Sequence, residues 1–384
     1  MNKQMLIKEI AKIYNGSTPS TANPRYWDGQ IPWITPKDLS INRVRYISKG
    51  ERNITDEGYK SCSTTLLPPN TVLLTSRAPI GYVSISQNTL CTNQGFKSLV
   101  CDEDKVLPLY LYYWLTTKAE FLKSISTGAT FKELSKNTLE RVEISLPSLN
   151  EQQHIVDTIG SVDDLIEKNE EKIGKSTSFI DATFNDLFTK SNFTYSTLGS
   201  TFNVSIGRTP PTKESKWFAN KDNADSISWL SIKDMNENEV YCLSTSQFLT
   251  TEAINEFHYT VAQPGDILLS FKLTVGRVLI AGKEMLTNEA IACFKGNEEL
   301  KRFLYCYLKT CNFLSDGGNT SSIGKAINSK IIKNFSFPIP PKDMLQKFTD
   351  LTRRIFELIR KLQDQNNLLK KEKEILLNRF FGSC

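Results

Sequence analysis

Residues 1–147 alternate short runs of β-branched and aromatic residues with Pro, Gly, Asn and Ser breaks, so they predict strands joined by tight turns. TVLLTS and GYVSI read as strands, with one helix near 107–123. After Pro147 the apolar period lengthens to that of a helix and stays there to about residue 190. The succession then repeats. Residues 191–340 carry the strands DILLSF and RVLIAG and a helix near 299–314, and a second long helical segment follows Pro340-Pro341, from 341 to 384. Prolines suit such strand-to-helix boundaries.

The chain is written twice in detail. IPWITPKDL (31–39) aligns with ISWLSIKDM (227–235), and TVLLTSRAPIGYVSI (71–85) with DILLSFKLTVGRVLI (266–280). GSTP (16–19) matches GRTP (207–210), Thr92-Asn93-Gln94 matches Thr287-Asn288-Glu289, and YLYYWL (110–115) matches FLYCYL (303–308). Unlike motifs recurring in one order at nearly one spacing identify a tandem duplication of an α+β domain.

Both long segments carry a heptad seam. Ile155, Ile159, Val162, Ile166, Asn169, Ile173, Ser176, Ile180 and Leu187 form the first; Leu345, Phe348, Thr352, Ile355, Ile359, Leu362, Asn366, Leu369, Leu376 and Phe380 form the second. Residues 150–190 hold 4 Lys/Arg against 9 Asp/Glu, and residues 341–384 hold 10 against 6. An acidic helix beside a basic one favours pairing within the chain. An antiparallel coiled coil places Asn169 opposite Asn366, a buried polar pair that fixes register at some cost in stability. The expected architecture is two globular domains related by a pseudo-two-fold axis and held apart by a stiff two-helix spacer.

Composition narrows the chemistry. The 384 residues carry a net charge of +5 and a pI near 8.6, which permits a polyanionic partner. Eight scattered cysteines contain no Cys-x-x-Cys pair, which speaks against a zinc site or a disulfide framework. The opening MNKQMLIKEIAKIYNG lacks the apolar core of a secretory signal, and no run approaches a membrane span. A cytoplasmic protein without metal or membrane is expected. With only His154 and His258, acid–base catalysis by histidine is not expected. GNTSSIGKA (318–326) has the wrong spacing for a phosphate loop, and Asn23-Pro24-Arg25-Tyr26 lacks the second proline of the Asn-Pro-Pro-Tyr methyltransferase motif. No catalytic residues are expected.

The stretch STGATFKELSKNTLERVEISLPSLNEQQHIVDTIGSVDDLIE (126–167), with Pro147, Glu151 and Gln152 opening its helix, resembles the junction in specificity subunits of type I restriction-modification systems. GSTP, Tyr26-Trp27 and IPWITPKDL resemble the start of that family's target-recognition domain, and the second copy keeps GRTP, Trp217-Phe218 and ISWLSIKDM. At the second junction Met344-Leu345-Gln346 stands near the Glu-Gln position. The resemblance implies target-recognition domains at 1–147 and 191–340, with spacer helices at 148–190 and 341–384. Each domain would read one half of a bipartite site in double-stranded DNA, and the helix pair would set the gap. The chain would be non-catalytic and carry no cofactor. Two modification subunits, adenine N6-methyltransferases, would bind S-adenosylmethionine. Two restriction subunits that translocate DNA would use ATP and Mg2+.

Reading DNA requires cations for phosphates and side chains that reach base edges. The candidates are Lys37, Arg77, Lys97, Lys132 and Lys136 in the first domain, and Arg208, Lys233, Lys272, Arg277 and Lys325 in the second. Arg77 and Lys272 occupy matched points between two strands, as DNA contacts or as solvated hairpin charges. Lys37 and Lys233 are phosphate contacts or partners of the adjacent aspartates. Trp33 and Trp229 are expected in the core. The helix faces and the residues around Phe179, Phe184 and Phe188 are offered as docking surfaces or as packing against the globular domains. The readings from other classes are a self-contained nuclease, from Glu214-Ser215-Lys216, and a coiled-coil scaffold or adaptor.

Overall fold

The computed structural model describes residues 2–41, 44–77, 79–128, 132–189, 193–220, 226–311, 313 and 328–382. The chain forms two compact units, Met1–Asp164 with Leu369–Cys384, and Leu165–Leu368.

In the first unit, five strands pair in the order Ala11–Asn15, Phe96–Cys101, Val72–Ser76, Ile80–Ser86 and Tyr46–Ile47. The central strand VLLTS is buried along its whole length, its Thr75 and Ser76 included, and the Thr75 hydroxyl accepts Tyr82 N–H at 2.9 Å. A three-stranded sheet, Arg52–Ile54, Trp27–Ile34 and Cys91–Thr92, lies beside it in sequence, and Lys3–Leu6 pairs antiparallel with Glu143–Leu146. The helix expected near 107–123 is two helices, Pro108–Thr117 and Ala119–Ser124. Ala119 abuts Gly81, whose φ of +97° and lack of a Cβ admit that approach.

The second unit repeats the plan. Its five strands follow the same order: Asn203–Ile206, Ile291–Lys295, Ile267–Ser270, Val278–Ala281 and Tyr241–Cys242. A four-stranded sheet contains Ser226–Leu230, Thr194–Thr197 pairs antiparallel with Ser336–Ile339, and the counterpart helix is Glu298–Thr310.

Two 40-residue helices, Leu149–Phe188 and Lys342–Phe381, carry the heptad segments. The first opens with a capping box: Ser148 N–H donates to Glu151 at 2.9 Å, and the Glu151 N–H donates weakly back to the Ser148 hydroxyl at 3.4 Å. Gln152 is wholly buried. Its carbonyl oxygen accepts Leu107 N–H at 3.0 Å, and its amide donates to Lys105 and Pro147 carbonyls. The Glu-Gln pair therefore starts the helix and seats it on the 105–107 turn.

The helices pack antiparallel in both units. In the first, Ile155, Val156 and Ile159 share a core with Leu376, Leu377, Phe380 and Phe381, and Lys373 reaches Asp163 at 2.7 Å. In the second, Ile173, Ile180, Phe184 and Leu187 meet Leu345, Phe348, Phe356 and Ile359. There the buried Asn169 amide donates to Asn366 at 2.8 Å. Phe184 and Phe188 lie inside this core, their rings against Phe303 and Phe348, which removes both as docking surface; Phe179 stays exposed. Among the described residues no helix is long and apolar enough to cross a membrane.

Candidate nucleic-acid interface

A shared frame of hydrogen bonds underlies the basic loops of both units. Trp33 Nε1 donates to the Ser17 carbonyl at 3.0 Å, and Trp229 Nε1 to the Arg208 carbonyl at 3.1 Å; both rings are buried. Asp38 accepts from the Thr35 N–H and hydroxyl and from Glu51 N–H. Asp234 accepts from Ser231 N–H and hydroxyl and from Ser246 N–H. These aspartates tie two loops together, and the signal was present in sequence as Thr-x-x-Asp and Ser-x-x-Asp. Gly16 and Gly207 pass so close to the 92–93 and 287–288 backbones that an added Cβ would meet a carbonyl oxygen at 2.0 Å in each case. The Gly of each GxTP motif is thus a contact point between the two sheets.

On this frame the first unit gathers some of its cations and separates others. Arg77 follows the strand Val72–Ser76, and its guanidinium lies 3.9 Å from Glu133. Lys97 points to the same carboxylate from the neighbouring strand, 3.4 Å from Glu133 and 3.4 Å from the Ser76 hydroxyl. It is buried, and burial pulls its pKa below the ordinary value despite the Glu133 charge. Lys132 is exposed one residue from Glu133. Leu134 N–H donates to the Ser76 carbonyl at 2.9 Å, fastening this segment to the strand end that carries Arg77. Arg77 and Lys97 therefore share one acceptor, Glu133, which sequence reasoning missed because its sign was wrong for DNA, and Lys132 precedes it on the same segment.

Lys37 stands apart on the helix Pro36–Ile41, in an exposed 2.6 Å ion pair with Glu51 rather than with Asp38. The hydrogen bond and charge of Glu51 raise its pKa. Lys136 is elsewhere again, 3.6 Å from Glu140 on its own short helix, bordering a surface cleft with Lys8, Lys12 and Lys105. In the Tyr26-Trp27 pair Trp27 is buried, edge-on to Trp33, with the Arg52 guanidinium 3.6 Å from its ring centroid.

In the second unit Arg277 is committed to structure. It donates to the Ile232 and Met235 carbonyls at 3.2 and 3.0 Å and pairs with Glu237 at 2.9 Å. These bonds pin the turn bearing exposed Lys233 against the hairpin loop that carries Lys272, whose ammonium lies 5.6 Å from the Phe271 ring centroid. Arg208 exposes its side chain on the GRTP segment, while its carbonyl holds Trp229 and the Tyr259 hydroxyl. Lys325 lies outside the described residues.

Two copies of one α+β unit, each offering exposed cations from loops tied to a buried tryptophan, define a duplicated recognition protein joined through paired helices. The family model for the type I restriction modification DNA specificity domain matches twice, at residues 2–175 and 190–378, and the chain belongs to that family. It is 37% identical to the type I restriction enzyme MjaIX specificity subunit of Methanocaldococcus jannaschii, over 98% of this chain and 92% of that one. The EcoR124I/EcoR124II specificity subunit of Escherichia coli is 30% identical over 41% of this chain and 40% of its own. The crystal structure of the type I restriction-modification S subunit from M. genitalium shares the fold, with a TM-score of 0.60 at 15% identity, covering 100% of this chain and 97% of that one.

Proposed function

We propose that this chain is the non-catalytic DNA specificity subunit of a cytoplasmic type I restriction-modification complex. Each target-recognition domain, 1–147 and 191–340, reads one half of a bipartite, asymmetric site in double-stranded DNA. The spacer helices set the unread gap and dock two modification subunits. S-adenosylmethionine belongs to those methyltransferases, and ATP and Mg2+ to two restriction subunits. The observation that carries this reading is the repetition of one hydrogen-bond frame in both units beneath basic loops of different sequence. A common scaffold with divergent tips is what reading two different half-sites requires. Exposed Lys132, Lys37, Lys233 and Arg208 position the duplex through its phosphates, a salt-dependent contribution. Base edges supply discrimination of about 1–3 kcal/mol per good contact.

Replacing residues 1–147 with the domain of another family member tests the assignment. Sequencing methylated adenines should show one half of the methylated site changed and the other half and the gap retained. An unchanged site would refute it.

A further inference from the structure

Leu273 is the most exposed large apolar side chain among the described residues, at 93%, and its φ is +61°. The other described non-glycine residues with positive φ are Asp28, Asn70, His258 and Asn297, all types whose side chains tolerate that region. A leucine there bears a steric penalty, and a side chain in water gives the fold nothing in return. Backbone strain of this kind persists where the surroundings over-determine it, and it clusters at functional sites.

The surroundings do over-determine it. The Ser270 hydroxyl donates to the Thr274 carbonyl at 2.5 Å and accepts Arg277 N–H at 3.0 Å. Gly276 N–H donates to the Ser270 carbonyl at 2.9 Å, and Phe271 N–H to the Ala290 carbonyl at 2.9 Å. Leu273 is thus presented on a rigid tip. Around it the chemistry is cationic: Lys272 is adjacent, and exposed Lys233 sits on the turn that Arg277 pins to the same hairpin. A single apolar tip with a basic rim fits a polyanion that displays isolated methyl groups. A protein partner would ask for a broader apolar patch with a polar rim.

We propose that Leu273 is a specificity-determining residue of the second recognition domain, its side chain contacting the C5 methyl of a thymine in the major groove while Lys272 and Lys233 hold the flanking phosphates. Apolar contact with that methyl is one of the ways the major groove distinguishes base pairs. The inference rests on the DNA-reading function proposed above.

The test uses the full-length chain assembled with its modification subunits. Duplexes carry the methylated site with each thymine of the second half-site replaced in turn by uracil, which lacks only the C5 methyl. One replacement should lower the wild-type methylation rate by about fourfold, the worth of one buried methyl group. Leu273→Gly accepts the positive φ without strain, so it should keep the wild-type melting temperature. It should lose about fourfold or more on the thymine duplex and be indifferent to the same uracil. The proposal is overturned if the wild type ignores every uracil, if that half-site contains no thymine, or if Leu273→Gly keeps the wild-type rate and uracil sensitivity. An equal fall on all duplexes, with weaker co-purification of the modification subunits, would place Leu273 at a protein interface and also overturn it. A wild-type complex that methylates no bipartite site would remove the underlying DNA-reading assignment instead, a result visible without any Leu273 variant.

Discussion

Lys97 in the first half and Lys301 in the second are 5% and 6% exposed, yet their surroundings treat them in opposite ways. Lys97 has one charged neighbour at 3.4 Å, Glu133, and that carboxylate is itself half in water. Burial therefore dominates and lowers its pKa. Lys301 lies 2.8 Å from Asp266, which is 2% exposed, and also pairs with Glu298. Burial again works to lower its pKa, but the hydrogen bonds and charges of two carboxylates outweigh it, and the net shift is upward. Neither lysine recurs in the other half: Ala292 takes the place of Lys97 at the local offset of 195, and Pro108 takes that of Lys301 at the offset of 193 set by YLYYWL and FLYCYL. The common frame thus tolerates a different buried cation in each copy. The lysine of the second half is structural, whereas that of the first half is incompletely satisfied beside a basic loop.

The largest expected effect breaks this comparison at its stronger member. Lys301→Met leaves Asp266 buried without its counter-charge and should destabilise the second unit by about 3–5 kcal/mol, measured by denaturant unfolding. The half-site assigned to residues 1–147 should still be read.

The next effect probes what the halves share. Gly16→Ala and Gly207→Ala both force a Cβ onto a backbone carbonyl, and each should cost about 1–3 kcal/mol or somewhat more. Melting curves should show comparable losses for the two variants. A loss confined to one of them would mean that the frames are not equivalent.

The smallest effect separates the lysines by pH. Lys97 has a folded pKa below its ordinary value of 10.5. Between those two values the unfolded chain binds more protons, so this contribution to stability rises with pH. For Lys301, whose folded pKa is raised, the contribution is complete below 10.5 and is lost as pH climbs through the folded value. Lys97→Met should therefore be slightly more stable than the wild type at pH 7, with the gap closing toward pH 10.5. The difference between Lys301→Met and the wild type should shrink only above that pH. Denaturation midpoints of both variants across pH 7–11 measure this.

Much of the architecture was legible in the residue order. The duplication, the two long helices, the buried Trp33 and Trp229 and the strands VLLTS and DILLSF all rest on local pattern. Periodicity and turn residues act over a few positions, and the matching copy supplied an internal check. The candidate interface was less legible. Arg77 and Lys97 converge on Glu133, and Arg277 spends its guanidinium on carbonyls of a turn some 40 residues away in the chain. A cation's sequence neighbours say nothing of either arrangement.

By itself the sequence determined that one α+β unit is used twice and that each copy is followed by an amphipathic helix, because the spacing of apolar side chains dictates secondary structure and the faces it must bury. Only the tertiary structure decided which cations face water, which are consumed by distant acceptors, and that Leu273 is held out on a strained tip. Burial and hydrogen bonding of a charged or exposed side chain depend on what other strands and loops bring to it, and those partners lie far away in the chain.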